Sequence, residues 1–81
     1  MNVTYGAAVL KSLEAAPPAV RKAFFKQLKF LEQNPRHPSL RAKKFDETRA
    51  IWQARVNDDW RFYFQIVDGA YRILSVISHP K

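Results

Sequence analysis

Ile51-Trp52-Gln53-Ala54-Arg55-Val56-Asn57-Asp58-Asp59-Trp60-Arg61-Phe62-Tyr63-Phe64-Gln65 is the stretch that decides the fold of this chain. Two runs rich in β-branched and aromatic residues flank the turn-forming Asn57-Asp58-Asp59, which predicts a β-hairpin. Side chains alternate across a strand, so Trp52, Ala54 and Val56 share one face, with Gln53 and Arg55 on the other. In the second run Trp60, Phe62, Phe64 and Ile66 share a face, opposite Arg61, Tyr63 and Gln65. One face is apolar enough to be core. The other is basic and polar, a composition that can be washed by solvent or can hold a phosphate.

Downstream, Asp68-Gly69 is a tight-turn dipeptide that joins a Trp60–Val67 strand to a third one over Ala70 to Ile77. That last run is apolar on both faces, as a well-covered strand should be. Upstream, Ser39 to Lys44 reads as a basic connector, and Asn34-Pro35-Arg36-His37-Pro38 as a helix stop. Before it, Pro18 to Gln33 is the clearest periodic element. Val20, Phe24, Gln27/Leu28 and Leu31 recur at helical spacing, and Lys22, Lys26 and Lys29 form the opposite, solvated side. Phe30 sits off that stripe and is expected to be exposed, under a partner. Pro17-Pro18 separates this helix from a shorter one over Ala7 to Ala16, because proline suits the first turn of a helix and not its interior. Met1 to Tyr5 alternates as a short first strand. The expected architecture is α+β, in the order β-α-α-β-β-β: a twisted antiparallel sheet with a two-helix hairpin packed on one face.

The 81 residues allow one domain, 1–81, whose small core draws on six Phe, three Tyr and two Trp. There is no cysteine, and no apolar run approaches the roughly 20 residues that span a bilayer. A soluble cytoplasmic protein without membrane contacts is expected. Fourteen basic residues against seven acidic ones leave a formal net charge of +7, a field that favours polyanionic partners.

Several chemistries are disfavoured. A phosphate-cradling loop needs clustered glycines, and Gly6 and Gly69 lie far apart. His37 has no ligand partner at metal spacing, so it is read as a loop histidine, and neither metal nor cofactor is expected. What remains is the cluster Arg55, Arg61, His79 and Lys81, with Lys43 and Lys44 near it in the order of strands. That set suits metal-free RNA cleavage, in which the ribose 2′-OH attacks the adjacent phosphorus. The step needs a base, an acid and fixed positive charge for the phosphorane. Histidine titrates near neutrality and arginine does not, which sorts the roles. A basic sheet face that binds without cleaving fits the same residue types. For Arg61 the alternative is a structural pairing with Asp58 or Asp59 at the turn.

The runs Asn34-Pro35-Arg36-His37-Pro38-Ser39-Leu40-Arg41-Ala42-Lys43-Lys44-Phe45, Trp52-Gln53-Ala54-Arg55-Val56 and Trp60-Arg61-Phe62-Tyr63-Phe64 resemble the RelE/ParE superfamily of toxins from bacterial type II toxin–antitoxin systems. The strongest marker is one arginine in the first hairpin strand and another directly after the turn, between aromatics. The resemblance implies a ribosome-dependent endoribonuclease that cuts mRNA in the ribosomal A site. Its partners would be the ribosome, mRNA and a cognate antitoxin that wraps the toxin, in a hetero-oligomer able to bind operator DNA through the antitoxin. Carried over by position, Arg61 would stabilise the transition-state phosphate. Arg55 would be the basic residue of the first strand, His79 an acid/base group and Lys81 the basic residue after the last strand. Arg41, Lys43 and Lys44 would contact RNA. Other members carry a carboxylate or polar group near Lys43, which leaves the general base open. Tyr63 and Tyr71 are expected to pack rather than react. The alternative from the same superfamily is a ParE-like inhibitor that binds DNA gyrase without nuclease activity.

Overall fold

Pro17 and Pro18 organise the helical half of the chain. In the computed structural model, which describes residues 2–78, β1 (Asn2–Tyr5) leads into α1 (Ala7–Ala15), and Ala16 and Pro17 are extended before α2 (Pro18–Gln33) begins. Proline has no N–H to lose at the first helical position, so Pro18 opens α2 without cost to its hydrogen bonding. Arg21 of α2 reaches back to the end of α1. Its Nη1 donates to Ala16 O at 2.6 Å and to Leu13 O at 3.2 Å, the latter a carbonyl that also accepts from the Ala16 N–H, so the side chain of α2 ties down the end of α1. The stripe Val20, Phe24, Gln27, Leu28 and Leu31 is buried, and Lys22, Lys26 and Lys29 are exposed, as the periodicity predicts.

A single 3-10 turn (Pro38–Leu40) then leads into β2 (Lys43–Asp46), β3 (Ile51–Arg55), β4 (Trp60–Val67) and β5 (Ala70–Ser78). The sheet order is β1-β5-β4-β3-β2. Class, helical hairpin and meander follow the expectation, and two features of the sheet differ. The presumed connector contributes a fifth strand, β2, which pairs antiparallel with β3. Its Lys43-Lys44-Phe45-Asp46 sequence lacks an apolar alternation because β2 is a short, charged edge, the composition that discourages further pairing. The sheet is also mixed, since β1 runs parallel to β5. Parallel neighbours need a long crossover, here everything from α1 to β4, and strand direction across so long a connection leaves no trace in local patterning.

The two-residue turn Asp68-Gly69 has φ of 49° and 75°, the left-handed pair of a type I′ hairpin turn, whose twist matches the strands. The inner sheet face meets the helices through aromatic contacts. Phe24 of α2 sets its ring at 5.4 Å and 82° to Phe62, and within the sheet Phe64 of β4 packs edge-on against Tyr71 of β5 at 5.8 Å. Burial raises the Tyr71 phenol above its ordinary pKa, which fits a packing tyrosine. Two expectations for the inner face fail. Ile66 is exposed: it lines an open hollow of about 590 Å³ with Pro35, Pro38, Trp52 and Phe64, at the end of the sheet. Phe30 is half-buried and stacks on the His37 ring at 4.0 Å, so the loop after α2 occupies the place reserved for a partner.

One polar side chain crosses the core. Gln27 is only 6% exposed, and its Nε2 donates to Ser39 O at 3.0 Å and Arg55 O at 2.8 Å. Its Oε1 accepts from the Ser39 hydroxyl at 3.2 Å. The carboxamide therefore joins α2, the 3-10 turn and the end of β3. Replacement by methionine, similar in length and without polar atoms, removes the amide donor from the half-buried Ser39 and Arg55 carbonyls. Gln27→Met should lose about 1–3 kcal/mol in urea unfolding, and a variant as stable as the parent would show that these bonds contribute nothing.

Candidate functional site

The outer face of the hairpin collects the basic residues. Arg55 on β3 and Arg61 on β4 are direct register partners, as are Gln53 and Tyr63. Lys43 of β2 pairs with Gln53 on the far side. Together with Arg41, which precedes β2, these side chains surround one open cavity of about 210 Å³, lined by Arg41, Lys43, Gln53, Ala54, Arg55 and Arg61. Among the described residues no carboxylate lines it. Four cations from three segments thus converge on one space.

Like charges directly opposite in a ladder destabilise it. The turn offsets part of that cost. Arg55 forms an ion pair with the Asp58 carboxylate through Nη2. Arg61 binds carbonyls of the same turn through Nη1, donating to Asn57 O at 2.5 Å and Trp60 O at 2.9 Å. The Asn57 side chain closes the turn from within, accepting from the backbone N–H groups of Asp59 and Trp60 at 2.9 Å. Arg61 is therefore anchored, by carbonyls rather than by the Asp58 carboxylate. An arginine held by one nitrogen on a β-strand is a preorganised donor, since its planar fork has further N–H groups to offer.

Arg41 reaches the cavity by a strained route. It follows the 3-10 turn with φ 47° and ψ 41°, the left-handed region that disfavours side chains. Leu40, fully buried, and Ser39, held by Gln27, fix the loop that leads into that bend. His37 belongs to the same scaffold. Its Nδ1 accepts from Ser39 N–H at 3.2 Å, and its ring lies on Phe30.

Of the residues singled out from the sequence, Arg41, Lys43, Arg55 and Arg61 are brought together. Lys44 is not. Pleating turns it to the opposite face, where its Nζ sits 4.6 Å from the Trp52 ring centroid. His79 and Lys81 lie outside the described residues; β5 ends at Ser78, whose register partner Trp60 adjoins Arg61. Sequence reasoning missed Gln27 and Gln53 as site-building residues. Gln27 carried a signal, a polar group in a buried helical stripe, whereas Gln53 is marked only by lying on the same strand face as Arg55.

No protein-family model matches the chain, and no curated protein matches it. Solved structures do. A YoeB/ParE toxin from Agrobacterium tumefaciens superposes with a TM-score of 0.82 at 9% identity, covering 99% of this chain and 100% of that one. The fold is that of the RelE/ParE toxins. The YoeB dimer from Staphylococcus aureus gives 0.81 at 16% identity, with 99% and 98% covered. A chain of the archaeal RelE–RelB complex from Pyrococcus horikoshii gives 0.77 at 23% identity, with 95% and 92% covered. Within this RelE/ParE fold the cation-lined cavity lies on the sheet face away from the helices.

The strained bend offers a direct test. Arg41→Gly removes one cation and also relieves the left-handed conformation. Stability should stay within about 1 kcal/mol of the parent, because relief of strain and the backbone freedom of glycine oppose each other. Pyrophosphate affinity in calorimetry should fall roughly tenfold, the scale of one charge-assisted hydrogen bond. Unchanged affinity would place Arg41 outside the site.

Proposed function

We propose that this protein is the toxin of a type II toxin–antitoxin pair and a ribosome-dependent endoribonuclease that cuts mRNA in the A site. The observation that carries this reading is the convergence of Arg41, Lys43, Arg55 and Arg61 on one small cavity that no carboxylate of the described residues lines. Such a cavity suits a phosphodiester whose negative charge grows during reaction. In the proposed step the ribose 2′-oxygen bonds to phosphorus and gives its proton to a base. The bond from phosphorus to the 5′-oxygen breaks, and an acid protonates the leaving oxygen. The products are a 2′,3′-cyclic phosphate and a 5′-hydroxyl end.

Arg55 and Arg61 act on the phosphorane oxygens, where charge is greater than in the ground state. Lys43 and Arg41 hold the neighbouring backbone, and Lys81 adds positive charge after the last strand. His79 is assigned acid/base work, because imidazole is the side chain that exchanges protons near neutrality. The ribosome supplies what this chain lacks, a substrate held with its 2′-oxygen in line. A purified, untranslated RNA is therefore cut poorly.

The cognate antitoxin neutralises the toxin by covering this basic surface with an acidic, amphipathic segment, and the hetero-oligomer binds operator DNA through the antitoxin. Support comes from the solved relatives, which include the RelE–RelB complex of Pyrococcus horikoshii and a YoeB–YefM complex of Staphylococcus aureus.

Arg61 provides the test. On programmed ribosomes, single-turnover cleavage by Arg61→Ala should lose about 2–4 kcal/mol of transition-state stabilisation, and Arg61→Lys should recover part of it. Loss of the turn bonds should lower stability by only about 1 kcal/mol, so the protein remains folded at assay temperature. A fully active Arg61→Ala protein would refute the phosphate role. Gyrase inhibition in a supercoiling assay, without any cleavage, would replace the nuclease by the gyrase-binding alternative.

A further inference from the structure

The cavity does not end at its cations. Gln53, one of its lining residues, donates from Nε2 to the Tyr63 hydroxyl at 2.8 Å. The Tyr63 ring in turn meets Phe45 at 4.9 Å and 67°. Phe45 lies on the outer edge strand, two positions after the cavity residue Lys43, and pleating puts both on the outer face. The irregularity between Lys44 and Asp46 leaves Phe45 without a register partner on β3. The residue is 59% exposed.

An exposed phenylalanine on an edge strand is a liability, since edges are ordinarily protected by charge. Here it contributes nothing to the helix-facing core, which lies on the opposite face of the sheet. Its surroundings are specific: a tyrosine oriented by a hydrogen bond below it, and a space lined by four cations beside it. Single-stranded nucleic acid presents the complement of that surface, a phosphate and a π-faced base at each nucleotide.

We propose that Phe45, supported by Tyr63, is a stacking platform for the base of the nucleotide adjoining the phosphate held in the cavity. The ligand class is single-stranded RNA with an unpaired base at that position. Stacking tolerates any base and favours the larger face of a purine. The inference rests on reading the cavity as a phosphate site, and it adds a base subsite that the cations cannot provide.

The test uses two pentaribonucleotides at low salt: one with 2-aminopurine at the central position, the other abasic there. The wild-type protein should quench 2-aminopurine fluorescence and bind the base-containing RNA roughly ten- to a hundredfold more tightly than the abasic one, the range for a base on an aromatic ring. Phe45→Leu keeps apolar bulk without a π-face. It should lose both the quenching and the preference while binding abasic RNA as the parent does. Phe45→Trp should restore both. Arg61→Ala should weaken both RNAs alike.

Phe45→Leu that retains quenching and preference would overturn the platform, leaving the phosphate site intact if Arg61→Ala still weakens the abasic RNA. Abasic RNA bound equally by Arg61→Ala would overturn the phosphate reading itself, and the platform with it. A Phe45→Leu variant impaired only in antitoxin binding would make Phe45 a protein-contact residue and refute the proposal.

Discussion

The buried carboxamide of Gln27 is the constraint on which the geometry of the site depends. A helix packed on a sheet by apolar contacts alone is held by non-directional forces, and small slips cost little. Gln27 adds direction. Its donors hold Ser39 O and Arg55 O, so the loop that ends at Arg41 and the strand end that carries Arg55 are both referred to one point on α2. A buried polar group without partners is expensive, so a position that fails to satisfy this amide is strongly disfavoured. The helical layer thereby sets the spacing of cations on the far face of the sheet.

Those cations are placed against local preference. Arg55 faces Arg61 across the ladder, and Arg41 occupies a left-handed conformation. Each costs stability and neither serves the core. The turn supplies partial compensation through Asp58 and the carbonyls of Asn57 and Trp60, and a bound polyanion would supply the rest. The same sheet thus has two chemistries, apolar toward the helices and cationic around the cavity away from them, because side chains alternate strictly along β3 and along the first half of β4.

What was legible in the sequence was local. Pro17-Pro18 and Asp68-Gly69 mark boundaries through their own backbone chemistry, and the alternation from Trp52 to Phe64 assigns the two faces. What was not legible depends on distant partners. β2 has no pattern of its own and exists because β3 offers it an edge. Lys43 and Lys44 look equivalent in the chain, yet pleating sends one to the cavity and the other over Trp52. Ile66 continues the apolar alternation but lies at the end of the sheet that opens into the large hollow. Phe45 could not be distinguished from a core residue until its contact with Tyr63 was known.

If fixed positive charge on this sheet face drives attack by a ribose 2′-oxygen, as proposed, the cut ends carry the signature of that step. The most direct measurement is the chemistry of the cut ends. Cleavage of a translated message on purified ribosomes, run with RNA in which a single 2′-hydroxyl at the cut site is replaced by 2′-methoxy, separates this mechanism from others. A 2′,3′-cyclic phosphate and a 5′-hydroxyl are expected with unmodified RNA, and no cleavage at the methoxy position. A 5′-phosphate at the new end, or undiminished cleavage at the methoxy position, would contradict that mechanism.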